Sequence, residues 1–116
     1  MRVLPSGVSP LVHAETGHDI SLVCDYELED DILYSIKWYR DDKEFYRFRP
    51  RGGMMQSMIA ASFMFFSFTE SPPVTTYFLP GVSVMRRSSP THLIIHNISS
   101  STSGIFKCEV SAGPPR

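Results

Sequence analysis

Cys24-Asp25-Tyr26 and, a short loop later, Tyr34-Ser35-Ile36-Lys37-Trp38-Tyr39-Arg40 set the architecture of this chain. In the second segment Tyr34, Ile36 and Trp38 fall on one side, and Ser35, Lys37 and Tyr39 on the other. Successive side chains of a strand point to opposite faces, so a buried Trp38 turns Lys37 and Tyr39 outward. Upstream, Ile20, Leu22 and Cys24 alternate with Asp19, Ser21 and Val23, a half-buried strand with its cysteine inward. The other cysteine lies in Ser103-Gly104-Ile105-Phe106-Lys107-Cys108-Glu109-Val110, which reads as a later strand.

A cysteine, a tryptophan fourteen residues on and one distant cysteine form the frame of an all-β, immunoglobulin-like (variable-type) β-sandwich. In that frame a Cys24–Cys108 disulfide pins two sheets together and Trp38 packs on it. Neither cysteine has a second cysteine or a histidine beside it at metal-ligand spacing, so no zinc site is expected. One structural disulfide implies an oxidising compartment.

At 116 residues the chain has room for a single domain with its own core, spanning 1–116. Eleven basic side chains against twelve acidic ones argue against nucleic acid as a partner. The charges are nonetheless segregated. Seven acids and no Lys or Arg lie between Glu15 and Asp31, whereas Lys37, Arg40, Lys43, Arg47, Arg49 and Arg51 follow closely. A solvated surface accounts for such blocks, and so does a basic strip facing a partner.

The remaining elements follow in order. Residues 3–13 mix β-formers with two prolines and a glycine, an edge strand broken in the middle. The acidic run Glu27-Leu28-Glu29-Asp30-Asp31 is an exposed loop, because like charges so close are costly elsewhere. Asp41-Asp42 makes a turn into strand C′, Lys43-Glu44-Phe45-Tyr46-Arg47-Phe48-Arg49, with aromatic and cationic groups on both faces. Val82, Val84 and Met85 mark a short strand D, and Leu93-Ile94-Ile95-His96-Asn97-Ile98 a strand with Leu93 and Ile95 inward. The closing strand G expected of this fold has no residues to form it after Val110, so the sandwich reads as truncated. The opening Met1-Arg2-Val3-Leu4, running into Pro5-Ser6-Gly7, is no secretory leader, and the chain reads as a piece of a longer protein.

One segment is foreign to this pattern. Residues 52–69 carry no charge and hold four of the six methionines and four of the eight phenylalanines. The run from Met54 to Phe68 contains Gln56 and three serines and is shorter than the roughly twenty apolar residues of a membrane helix. No membrane span is expected. The cysteines stand 84 residues apart, and without these eighteen residues the separation falls to 66, an ordinary value for a variable-type domain. Residues 52–69 therefore read as an apolar insertion between C′ and D.

Cys24-Asp25-Tyr26-Glu27-Leu28-Glu29, Leu33-Tyr34-Ser35-Ile36-Lys37-Trp38-Tyr39 and Glu44-Phe45-Tyr46-Arg47-Phe48 together resemble the first immunoglobulin domain of the insect beaten path proteins. Ser71-Pro72-Pro73, Phe78-Leu79-Pro80-Gly81-Val82 and Cys108-Glu109-Val110-Ser111-Ala112 extend the likeness over roughly 3–51 and 70–115. The resemblance implies an extracellular cell-recognition module, secreted or held at the cell surface, that binds a sidestep-like immunoglobulin receptor in axon guidance. It also implies binding through the sheet that carries the Tyr34–Arg40 strand and C′, which makes Lys37, Tyr39, Tyr46, Arg47 and Phe48 the partner-binding candidates. Phe106 stands where the family pattern has a tyrosine, removing one hydroxyl. The insertion and the missing last strand support an alternative reading, a truncated or mis-spliced product that does not fold or bind.

Asn97-Ile98-Ser99 is a glycosylation sequon on the chain's one asparagine. His92 and His96, four apart on a strand, would stand about 13 Å from each other, too far for one metal ion. No phosphate loop, metalloprotease motif or nucleophile elbow is present, so no catalysis, cofactor or small-molecule substrate is expected.

Overall fold

The computed structural model describes residues 2–3, 14–50 and 73–114; the expected insertion at 52–69 and most of the expected edge strand at 3–13 lie outside them. Eight strands follow in chain order: β1 (Arg2–Val3), β2 (Ile20–Val23), β3 (Tyr26–Glu27), β4 (Ile32–Arg40), β5 (Lys43–Phe48), β6 (Val74–Thr76), β7 (His92–Ile95) and β8 (Phe106–Gly113). A 3₁₀ turn, Ser100–Thr102, precedes β8. The chain is all-β. One layer is a four-stranded sheet in the order β6-β5-β4-β8, the other a β2-β7 pair, and every described pairing is antiparallel. β1 and β3 form a separate short ladder.

Between the layers lies a buried cluster of Leu22, Ile36, Trp38, Phe45, Leu93, Ile95 and Val110, among others. The Cys24–Cys108 disulfide joins the layers through it. Trp38 sits directly across the ladder from Cys108 and is 2% exposed. Its Nε1–H donates to the Pro90 carbonyl at 2.8 Å. A buried indole needs such a partner, since leaving the donor unpaired costs about 1–3 kcal/mol. Phe106 meets Phe45 edge-on, with centroids 5.9 Å apart and planes at 84°. A phenylalanine serves here because the ring is used in packing.

Three local expectations are corrected. Tyr34 does not share the buried side with Ile36 and Trp38. A register shift between Leu33 and Ser35 leaves it 59% exposed. The stretch 82–85 forms isolated bridges, Leu79 to Val82 and Val84 to Ile95, and not a strand. β6 was not expected at all: its Val-Thr-Thr run is β-branched but only three residues long and follows two prolines.

The β4–β5 hairpin closes through Asp41 and Asp42, both in the left-handed region at φ 51° and 66°. Two such residues between paired Arg40 and Lys43 make the tight turn whose twist suits a hairpin. Asp41 is engaged on both sides: its N–H donates to the Ile105 carbonyl at 2.8 Å, and its Oδ1 accepts from the Ile105 N–H at 2.9 Å. Asp42 makes only an exposed ion pair with Lys107 at 3.3 Å, which contributes little. Asp42→Gly is therefore expected to stabilise the domain by about 0.5 kcal/mol, because glycine meets the positive φ without strain. A lowered melting temperature would contradict this account of the turn.

Candidate functional site

The outward face of the four-stranded sheet is built by register. Thr75, Arg47, Lys37 and Glu109 are successive cross-strand partners and form one row across β6, β5, β4 and β8. Glu44, Tyr39 and Lys107 form the next row. The alternate rows face the core: Tyr46, Trp38 and Cys108 in one, with exposed Thr76 at its edge, and Val74, Phe48, Ile36 and Val110 in the other.

A bulge in β5 separates the two chemistries. Trp38 pairs with Tyr46 but Tyr39 pairs with Glu44, so Phe45 is an extra residue on its strand. Both Phe45 and Tyr46 are consequently buried, at 1% and 3% exposure. Glu44 and Arg47 then share the outward side. Of the candidates named from sequence, Lys37, Tyr39 and Arg47 come together on this face. Tyr46 and Phe48 do not: Tyr46 belongs to the core and Phe48 packs against it. Tyr46, Arg47 and Phe48 alternate regularly below the bulge, so the three could not all have faced one side.

The face is ordered by its own contacts. Arg47 makes a two-point ion pair with Glu44, Nε to Oε2 at 2.7 Å and Nη2 to Oε1 at 2.9 Å. Its guanidinium also lies over the Tyr77 ring at 5.8 Å. The Glu44 carboxylate pushes the Arg47 pKa further above its ordinary value. The Tyr39 hydroxyl donates to Glu109 Oε1 at 3.2 Å, and Lys107 Nζ stands 5.3 Å from the Tyr39 ring centroid. Burial, and then the Glu109 charge, raise the Tyr39 pKa, so it stays a neutral donor. Beyond the bulge of β4, Arg49 covers Tyr34 at 5.4 Å. Lys107, Glu109 and Glu44 were not singled out from sequence, although alternation about Cys108 points the first two outward.

Lys37 is the exception within this network. It sits directly between Arg47 and Glu109 in its row, and among the described residues it makes no ion pair. A like-charged Lys37–Arg47 cross-strand pair is unfavourable in itself. A carboxylate arriving from outside would relieve it.

The described residues offer little else that could carry chemistry. No three of His, Cys, Asp and Glu come together as a metal site among them. A cavity of about 400 Å³, lined by Phe45, Thr76, Tyr77, Phe78, Val82 and Val84, holds no carboxylate, histidine or amine. No helix of the described residues is long and apolar enough to cross a membrane. Asn97 lies just past β7, in the opposite layer from the face. Comparison with family models, curated proteins and solved structures returns no match.

Proposed function

We propose that this chain is an extracellular recognition module with an immunoglobulin-like, variable-type fold, the first such domain of a beaten path-like protein. It binds a sidestep-like immunoglobulin receptor, in axon guidance, through the outward face of the β6-β5-β4-β8 sheet. The observation that carries this reading is the row Arg47-Lys37-Glu109 flanked by Tyr39 and Lys107, in which Arg47 and Tyr39 are fixed by their own contacts and Lys37 is left to meet a partner. Tyrosine and arginine supply much of the energy at protein interfaces. Side chains already fixed by a two-point ion pair or a ring contact lose less freedom on binding. The disulfide between the layers supports the oxidising compartment that such a receptor-binding role requires.

The test is a binding assay of the disulfide-bonded domain against a panel of sidestep-like ectodomains. Binding is expected, and Lys37→Glu or Arg47→Glu is expected to weaken it about tenfold or more, since a reversed charge meets the partner's carboxylates. Both variants should unfold at nearly the wild-type denaturant concentration. A folded wild-type domain that binds no member of the panel would overturn the proposal.

A further inference from the structure

The turn that follows β7 carries chemistry that the recognition face does not use. Asn97 and Ser99 are both exposed, on either side of Ile98, which is buried at 7%. The turn is held by its backbone. The Asn97 N–H donates to Asp19 Oδ1 at 2.9 Å, the Ile98 N–H to the His18 carbonyl at 2.9 Å, and the Gly17 N–H to the Ile98 carbonyl at 2.8 Å. Asp19 also meets His96 Nδ1 at 3.0 Å, and these bonds hold its carboxyl below the usual range. The Asn97 side-chain amide makes no hydrogen bond among the described residues.

Asn97 has φ 50°, a conformation asparagine tolerates better than most residues, and this alone would explain an asparagine here. It does not explain the hydroxyl two residues on, which completes the acceptor pattern. Ser99 does take part locally, its N–H donating to Thr102 Oγ1 at 2.9 Å and its Oγ meeting Ser101 Oγ at 2.7 Å. Ser99 also caps the Ser100–Thr102 turn, and it remains exposed in that role.

We infer that Asn97 is an N-glycosylation site whose glycan projects from the β2-β7 layer and leaves the recognition face uncovered. The co-substrate is an oligosaccharide linked to a lipid diphosphate. The Asn97 amide nitrogen attacks the anomeric carbon of the first sugar. A C–N bond forms, the sugar C–O bond to phosphate breaks, and the lipid diphosphate leaves with the electron pair. The amide gives up one proton to the transferase. Asn97 is exposed and its side-chain amide has no hydrogen-bond partner to give up among the described residues, so the folded turn accommodates the product. Lys37, Tyr39 and Arg47 lie on strands of the other layer, so the glycan and a partner do not compete.

This inference rests on the extracellular reading, and the experiment separates the two. The full chain, with a cleavable signal peptide appended, is translated in the presence of microsomes. Signal cleavage reports entry into the lumen independently of modification. The expected result is one glycan, removed by peptide N-glycosidase, absent from Asn97→Gln and Ser99→Ala and retained in Ser99→Thr. Asn97→Gly, which keeps the turn, is expected to enter and form its disulfide without a glycan. A signal-cleaved wild-type chain with no enzyme-sensitive glycan would overturn the inference, as would a glycan that persists in Asn97→Gln.

Discussion

Replacing Cys24 and Cys108 together by alanine is expected to remove about 4 kcal/mol of stability, read from urea unfolding followed by the fluorescence of the single tryptophan. The bridge closes a loop between residues 84 apart, and long loops are those in which a cross-link most restricts the unfolded chain. A domain of this size has only about 5–15 kcal/mol in total. The alanine pair should therefore unfold at a far lower urea concentration, with a substantial unfolded population at body temperature. The sulfurs are also shielded, Cys24 being 1% and Cys108 7% exposed. Reductant should consequently open the bridge only as fast as the layers part. A midpoint shift worth less than about 1 kcal/mol would mean that the layers are held by packing alone.

Gly81→Ala is expected to cost about 3–4 kcal/mol, and Gly17→Ala only about 1–2, although both glycines have strongly positive φ. At Gly17, with φ +87°, an added methyl meets nothing within 4 Å, so only the backbone conformation is penalised. At Gly81, with φ +78°, it would stand 2.5 Å from the Ser101 carbonyl oxygen and 2.6 Å from its Oγ. Main chain cannot yield as a side chain can. The neighbouring groups are also committed: Thr102 Oγ1 donates to the Gly81 carbonyl at 2.6 Å. Arg40 Nη1 donates to the carbonyls of Pro80 and Ser101 at 2.6 and 2.7 Å. Moving Gly81 to relieve the contact would break these bonds. Equal losses in the two variants, by the same urea assay, would refute the close approach.

What the sequence disclosed depended on whether a local pattern stayed regular. The alternation through Ile36, Lys37, Trp38 and Tyr39 is unbroken, so the buried tryptophan and the two outward residues could be read directly. Paired cysteines far apart with no metal-ligand neighbours left a disulfide as the simplest expectation. The Asp41-Asp42 turn was legible because two short polar residues separate two β-rich runs. Tyr34 breaks the expected pattern because it is an extra residue on its strand, whereas Tyr46 and Phe48 face the core simply because they alternate with the outward Arg47. A bulge is set by pairing with a distant strand and leaves no local mark. β6 was hidden by brevity, and its place is decided by Phe48, Arg47 and Tyr46 across the ladder. The Glu44–Arg47 pair shows the same limit, since three residues apart on a regular strand they would face opposite ways.

The extra residue in β5 also has a consequence for how this domain can vary over generations. Removing Phe45 would leave Glu44 opposite Tyr39 and Tyr46 opposite Trp38, the pairings they already have. The insertion thus adds a ring to the interior, set against Phe106, without rotating any outward group out of its row. Interior volume and exterior chemistry are decoupled at this one position. Mutations that refill the space around Phe45 need not disturb what Lys37, Tyr39 and Arg47 present, and those three can change while the interior is conserved.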